Sequence, residues 1–467
     1  MSTFSGLNTA TTALWAQRRG LDVTGQNIAN VNTAGYSRQR VDLQAVGGTP
    51  VPAFYSVGSG IGSGVSADQV NRILDAFLEG RAHAEYGKTA QLATEANAYG
   101  LIEQALREPG DTGIQSQLSD VWAAWGDVAN HPTDDAARSQ LLQRVGTLVS
   151  GFQAARSAMD GQWAQSQENL VALVDEVNAV AGDVAELNDS ILRATLDGRP
   201  ANELADQRDA LVLQLAESVG ATVRPAGDGS LTVFVGGVTL VSGATATRLA
   251  VEGAREPDAL TADGAPRVVT ASGGTTLGVG GTAAGQITVL ADILPTARKQ
   301  LDDVASTLAA QVNAVHVTGH GVAGSTGLPL FDAAPPATSV TAASIRLNPA
   351  IGPDEVAAAQ EAGSNDAEIA DLIANLRTDP ASADALYRKN IVALGVNAAV
   401  SSRNLDIQTV ITTNVDAARE SVAGVNLDEE MSNMLQFQHA YSAAARMVTA
   451  IDESLDVLIN RTGVVGR

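Results

Sequence analysis

Residues 426–459 contain Asn426-Leu-Asp-Glu-Glu-Met-Ser-Asn-Met-Leu-Gln-Phe-Gln-His-Ala-Tyr441, then Ala444-Ala-Arg-Met-Val448 and Leu455-Asp-Val-Leu-Ile459. Met431, Met434, Gln438, Tyr441, Ala445, Val448, Asp452, Leu455 and Ile459 keep a 3–4 spacing, widened by Leu435 and Ile451. That period predicts an amphipathic helix. Asn426 stands at its N-cap, and Glu429 lies three residues on, as in a capping box. The stripe is too narrow to seal a globular core and reads as one half of a helix–helix seam.

The opposite end of the chain repeats the pattern. Leu7, Leu14, Leu21 and Ile28 recur every seventh residue, with small or polar residues such as Ala10, Gln17 and Thr24 between them. The predicted helix ends near Asn30 and Asn32, whose amides can satisfy freed backbone groups, and Gly35 is placed for a left-handed turn. From Tyr36 to Ala45 the alternation of Val41, Leu43 and Ala45 predicts a strand. Residues 1–41 carry four arginines against Asp22, a net +3, and residues 427–459 carry six acids against Arg446, a net −5. Opposite signs suit helices that lie together, although an exposed ion pair contributes only about 0–1 kcal/mol.

Between the two ends the chain predicts an elongated helical rod with a small inserted β domain. Residues 46–66 are rich in Gly, Pro and Ser, and Gly58–Gly64 predicts a loop or hairpin; its spacing is not that of a phosphate-cradling G-x-G-x-x-G. From about Val70 to Ile191 the pattern is helical, with breaks at Pro109-Gly110 and His131-Pro132. Its clearest stretch, Trp163 to Ile191, corresponds to roughly 45 Å of helix. Short β-type runs at Thr222–Arg224, Leu231–Val235, Val238–Val241, Val268–Thr270 and Gln286–Val289 are separated by Gly-rich turns and define the antiparallel insert, residues 219–286. Helix returns with Pro295 at its start and Leu301, Val304, Leu308, Val312 and Val315 as its stripe. Residues 319–365 are loop-rich, with one strand at Ser344–Leu347, and a further helix covers Asp384–Ala423. The fold class is therefore mainly α with an inserted small β domain. Its expected units are a terminal coiled-coil domain (1–45 with 426–467), a helical rod (46–218 with 287–425) and the β insert.

Composition narrows the function. Of 467 residues, 45% are hydrophobic, which argues against disorder, and only 4% are aromatic, which suits helical packing. A net charge of −23 disfavours nucleic acid and anionic membrane as partners. The absence of cysteine removes disulfides, thiolate nucleophiles and cysteine metal sites. The N-terminus has neither the basic nor the apolar region of a secretory signal, and no apolar run approaches the ~20 residues that span a bilayer.

Catalytic constellations are also missing. The histidines are His83, His131, His316, His320 and His439. His316 and His320 have a metal-compatible i, i+4 spacing, but the glycines from Gly319 onward end the helix and no third ligand is evident, so no metal or cofactor is expected. Neither H-E-x-x-H nor G-x-S-x-G occurs. Asp206-Gln-Arg-Asp209 reads as a helix surface with local ion pairs, and Trp122 and Trp125 as core.

The 426–459 stretch resembles the C-terminal signature of flagellar axial proteins, and Gln26-Asn-Ile-Ala-Asn-Val-Asn-Thr-Ala-Gly-Tyr-Ser-Arg-Gln-Arg40 resembles their N-terminal signature. Gly62-Ser-Gly-Val-Ser-Ala-Asp-Gln-Val-Asn-Arg-Ile-Leu-Asp-Ala-Phe-Leu78, Glu186-Leu-Asn188 and Asn202-Glu-Leu-Ala-Asp-Gln-Arg-Asp209 narrow the resemblance to subunits that follow the hook. Where the family often has Pro, this chain has Ala34. The resemblance implies a structural subunit exported unfolded through the flagellar type III apparatus, with a chaperone on its C-terminal helix. It would assemble with itself as a ring on the hook protein, with a second hook-associated protein and the filament beyond. Its terminal helices would pair around the central channel, and its middle domains would face outward.

The expected assembly interface is Leu7, Leu14, Leu21, Asn27, Ile28, Asn30, Asn32, Gly35, Tyr36, Met431, Met434, Leu435, Gln438, Tyr441, Val448, Leu455 and Ile459. Two narrow seams also want neighbours, so the termini are expected to be mobile in the free subunit and to order on assembly. The alternatives are another axial subunit (hook, rod or second hook-associated protein), or an adhesin-like surface protein using the β insert. Against the latter, residues 219–286 hold no aromatic cluster for carbohydrate stacking.

Overall fold

A computed structural model describes residues 3–47, 62–261 and 264–461. The elements, in order, are α1 (Thr3–Ala29), β1 (Gln39–Val46), β2 (Gly64–Arg72), α2 (Ala76–Leu106), α3 (Ile114–Asn130), α4 (Asp135–Leu196) and α5 (Asn202–Val219). Then come β3 (Thr222–Pro225), β4 (Leu231–Val235), β5 (Val238–Ser242), β6 (Thr245–Ala246), β7 (Leu249–Glu252) and β8 (Arg267–Thr270). The chain continues through α6 (Gly281–Thr288), α7 (Leu294–His316), β9 (Phe331–Ala333), β10 (Ile345–Leu347), α8 (Glu368–Asn375), α9 (Ala383–Ala423) and α10 (Leu427–Asp456). Most of the predicted loop at 46–66, residues 48–61, lies outside the described residues; from Gly64 on it is strand.

The spine is α4. Its 62 residues extend about 93 Å, twice the length read from Trp163–Ile191 alone. Leu141, Leu148, Phe152, Met159, Trp163, Leu170, Val177, Val184 and Ile191 are all buried on one side. The sequence reads its first half as helix too, beginning after the His131-Pro132 break, although Gly146, Gly151 and many Ala residues thin the apolar face there. α3 and β10 cover the first part of the spine, α2, α6 and α7 the middle, and α5 and the strands of the insert the last part. Trp122 and Trp125 are buried in this core, and the Trp163 indole donates to the Leu290 carbonyl at 3.0 Å.

The insert contains an antiparallel sheet in the order β3-β4-β5-β6 and a β7-β8 hairpin. Its last predicted strand is a correction: Gln286–Val289 is helical. The β-branched Ile287, Thr288 and Val289 mimic a strand, but Gly285 lets α6 pack close to Gln91 and Thr94 of α2, and Gly281 brings its start against Glu217 at the end of α5. Pro295 stands in the first turn of α7, as expected, but α7 is not a separate start. α6 runs through a π turn, Val289–Ile293, into α7, which absorbs the missing N–H. Val70–Arg72, read as helix, is the end of β2. The alternation of Val41, Leu43 and Ala45 is broken by a bulge between Asp42 and Gln44, which leaves Leu43 exposed. Within the loop-rich stretch, Ser344–Leu347 finds an unpredicted partner in β9.

One device recurs where helix meets strand. An asparagine presents both amide atoms to the N–H and carbonyl of a strand's first residue, so the side chain acts as an extra strand. Asn188 pairs in this way with Leu231 (2.9 and 2.9 Å), Asn178 with Leu249 (2.8 and 2.9 Å) and Asn313 with Phe331 (2.9 and 2.8 Å). Asn188 is completely buried and also meets the Gly243 carbonyl and the Arg208 guanidinium.

Replacing Asn188 by Ala strands these groups away from water and is expected to lower the unfolding free energy by about 2–3 kcal/mol in urea titration. A loss below about 0.5 kcal/mol would show that the amide does not dock the sheet.

Candidate functional site: a buried joint between the terminal helices and the rod

α1 and α10 pair antiparallel. Gly6 lies by Ile451, Gly20 against the Phe437 ring and Asn27 against Glu430, so seven residues forward on one helix match seven back on the other. A Cβ at Gly20 would sit 2.6 Å from that ring, so only glycine permits the approach. This places the seam one residue from both predicted stripes. Its centre is Gly6, Ala13, Gly20 and Asn27 on α1, facing Glu430, Phe437, Ala444 and Ile451 on α10. Leu7, Leu14, Leu21 and Ile28 are half-buried along its edge. Met434, Val448 and Leu455 are half-buried as well, while Met431, Leu435, Gln438, Tyr441 and Ile459 are exposed. Met431 and Ile459 retain 58% and 73% of their surface.

The turn after α1 follows the expectation. Asn30 donates to the Gln26 carbonyl and accepts from the Thr33 hydroxyl, and Gly35 is left-handed at φ 78°; Asn32 is exposed. The turn delivers Tyr36, Ser37 and Arg38 to a buried polar joint. Asn27 repeats the strand-docking device on Gln39, donating to its carbonyl at 2.9 Å and accepting from its N–H at 3.0 Å. Its second N–H donates to Glu430 Oε2 at 3.0 Å, and its oxygen also accepts from the Tyr36 hydroxyl at 2.8 Å. All four of its hydrogen-bonding positions are filled.

Glu430 is 2% exposed, and its other oxygen accepts from Arg38 Nε at 2.8 Å. Burial alone would lower the Arg38 pKa, but Glu429 and Glu430 outweigh it and raise it. Burial first, then the carboxylates of Asp206, Glu203 and Glu430, pushes the Tyr36 pKa up to about 12, which keeps its hydroxyl a donor. Glu429 does not complete a capping box: its carboxylate reaches Arg38 at 2.8 Å, and Asn426 alone caps α10 through the Asp428 and Glu429 N–H groups.

The joint continues into the rod. Arg72, at the end of β2, pairs with Asp206 at 2.7 Å and Asp209 at 2.8 Å on α5. Asp206 also accepts from the Ser37 N–H, and Asn202 donates to the Val70 carbonyl and the Gln39 side chain. Arg208 donates to Gly229 in the insert and to Asn188 on the spine. The reading of Asp206–Asp209 as a solvated surface is therefore corrected: Asp206 and Arg208 are buried and their partners are distant in sequence. All five stretches that carried the family resemblance meet here. Glu430, Arg38, Arg72 and Gly20 were absent from the expected site. The available signal was phase: Glu430 falls on the seven-residue register of Phe437, Ala444 and Ile451, and Asn27 on that of Gly6, Ala13 and Gly20.

His316 donates through Nδ1 to the Leu328 carbonyl at 2.7 Å and accepts the Ala357 N–H at Nε2, which leaves no lone pair for a metal; burial pushes its pKa down. Half-buried His320 meets the Gln360 carbonyl through Nδ1. No group of three or more potential metal ligands converges among the described residues, and no described helix is long and apolar enough to cross a membrane.

Parts of the chain match models of known protein families. The family model for the helical domain of the flagellar hook-associated protein FlgK matches residues 99–331. A flagellar basal body rod FlgEFG C-terminal model matches 418–461, and a basal body rod protein model matches 7–36. Flagellar hook-associated protein 1 of Bacillus subtilis is 29% identical over 506 residues, covering 100% of both chains. That of Escherichia coli K12 is 25% identical over 549, covering 97% of this chain and 99% of the other. A solved structure of the flagellar hook junction protein FlgK from Burkholderia pseudomallei aligns with 54% of this chain and 46% of its own, at TM-score 0.47 and 27% identity.

Truncating Glu430 to Ala leaves Arg38 without its buried partner and is expected to destabilise the docked terminal pair by about 3 kcal/mol in denaturant titration. Truncating Glu429, whose side chain is 58% exposed, should cost less than about 1 kcal/mol. Equal losses would show that the joint does not depend on the buried carboxylate.

Proposed function

We infer that this chain, a member of the flagellar hook-associated protein 1 family, is a structural subunit of the flagellum that works at the junction of hook and filament. The reading rests on one observation above all. The two segments matched by rod-protein models, at opposite ends of the sequence, are held together by the Asn27–Glu430–Arg38 joint and turn apolar side chains outward.

In this reading the terminal pair is the assembly element. Its seam sets Gly6 and Gly20 of α1 against Ile451 and Phe437 of α10, so the helices approach closely. Leu7, Leu14, Leu21 and Ile28 on one helix, and Met431, Leu435, Tyr441 and Ile459 on the other, wait for neighbouring copies. Covering one such side chain contributes roughly 1.5–3 kcal/mol, so a ring of subunits stabilises what the monomer leaves half-covered. The partners on this account are further copies of the chain, the hook protein behind and a second hook-associated protein or the filament ahead. Export proceeds through the flagellar type III apparatus with a chaperone on the C-terminal helix, and the subunit acts outside the cell without catalysis. The terminal pair, the helical rod and the β insert serve as separate domains, with the insert as an outward spacer.

A strain lacking the chain is expected to build complete hooks and to release unpolymerised flagellin without swimming. Expression of the full chain restores filaments, whereas a chain trimmed of residues 1–41 and 427–467 does not. Swimming restored by the trimmed chain would contradict the reading.

A further inference from the structure

We propose that Arg138 is the floor of a binding site for a small carboxylate anion, of the size of formate or acetate, between the first turn of α4 and the loop before α8. Four arginines are nine-tenths buried among the described residues: Arg138, Arg156, Arg208 and Arg298. Arg156, Arg208 and Arg298 each meet an aspartate, at 3.1, 3.4 and 2.6 Å. Arg138, 3% exposed, forms no ion pair with any described carboxylate.

Its direct partners are all neutral. Nε and Nη2 donate to the Pro132 carbonyl, and Nη1 donates to the Pro353 and Val356 carbonyls. A guanidinium has five N–H groups, so one on Nη2 is left over. Burial pushes the Arg138 pKa down, and Asp354 and Asp135, which form no ion pair with it, do not offset the shift. A buried charge faced only by carbonyl dipoles is costly, and an anion that reaches it removes that cost.

Arg138 lines a pocket of about 70 Å³ with Thr133, His320, Ser364, Asn365 and Asp366. Thr133 and Asn365 are exposed, and their side chains hydrogen-bond no described residue. The two oxygens of a carboxylate therefore have donors at both ends, the spare guanidinium N–H inside and a hydroxyl and an amide at the mouth. Asp366 sets the limit on the charge of the ligand. Hydrogen bonds from Ser364 and from the Gln360 N–H hold its carboxyl below the usual carboxylate range, so it is negative in neutral water. It repels a dianion about twice as strongly as a monoanion, which favours a carboxylate over sulfate or phosphate.

Thermal melting of the full chain in sodium acetate, with ionic strength held constant by sodium chloride, tests the site. The melting temperature should rise saturably, as for one ligand on the folded chain, and sulfate should reach half-saturation only at a higher concentration. Arg138→Gln should abolish the response. If that variant does not fold, two variants of the loop decide. Asn365→Asp should raise the half-saturating acetate concentration about tenfold. Asp366→Asn, which keeps an acceptor for the Gln360 N–H, should lower it about tenfold. No saturable rise, tighter binding of sulfate, or variants that respond as the parent chain does overturn the proposal.

Discussion

The Asn27 side chain joins three parts of the molecule. One amide closes the start of β1 at Gln39, holds the buried Glu430 of the last helix and receives the Tyr36 hydroxyl. A buried carboxylate is tolerated only where its lone pairs are met, and Arg38 with Asn27 meets them. Through Asp206, Arg72 and Asn202 the same network grips α5, and through Arg208 and Asn188 it reaches the spine and the insert. The rod itself uses the same chemistry: Asn178, Asn188 and Asn313 each dock the first residue of a strand. A mainly helical protein thus attaches small sheets that could not stand alone, by giving their edges amide partners from helices.

The consequence for assembly lies in the residues chosen for the seam. A pair built on Gly6, Ala13, Gly20 and Ala444 has the period of a coiled coil without its usual leucine knobs. Close approach holds the helices in register. Apart from Phe437 and Ile451 in the seam, the large apolar side chains lie along the flanks, where a monomer covers them only partly. Such an element is anchored firmly at one end, at the joint, and depends increasingly on neighbours toward the other.

Much of this was legible in the sequence, and the failures have specific causes. Periodicity located α4, α9, α1 and α10, because a 3–4 spacing survives any context. It misplaced both terminal seams by one residue, because counting apolar residues finds the leucines and methionines and overlooks Gly20 and Ala444. Period was readable where phase was not. Gln286–Val289 looked like strand from its β-branched side chains, and only packing against α2 makes it helix. Asp206 and Arg208 looked like an exposed pair because Arg72 and Asn188, which bury them, are distant in the chain. The motif stretches were recognised as a set before any geometry explained them; their convergence on one joint is the explanation.

Amide exchange on the dilute full-length monomer tests the central claim most directly. If the joint is the anchor and neighbours complete the rest, protection should be strongest around Thr24–Asn27 and Glu430–Phe437. It should fall steadily toward Leu7 and Leu455, and rise at the far ends only on assembly. Uniformly strong protection across residues 7–30 and 431–459 in the free subunit would contradict the account.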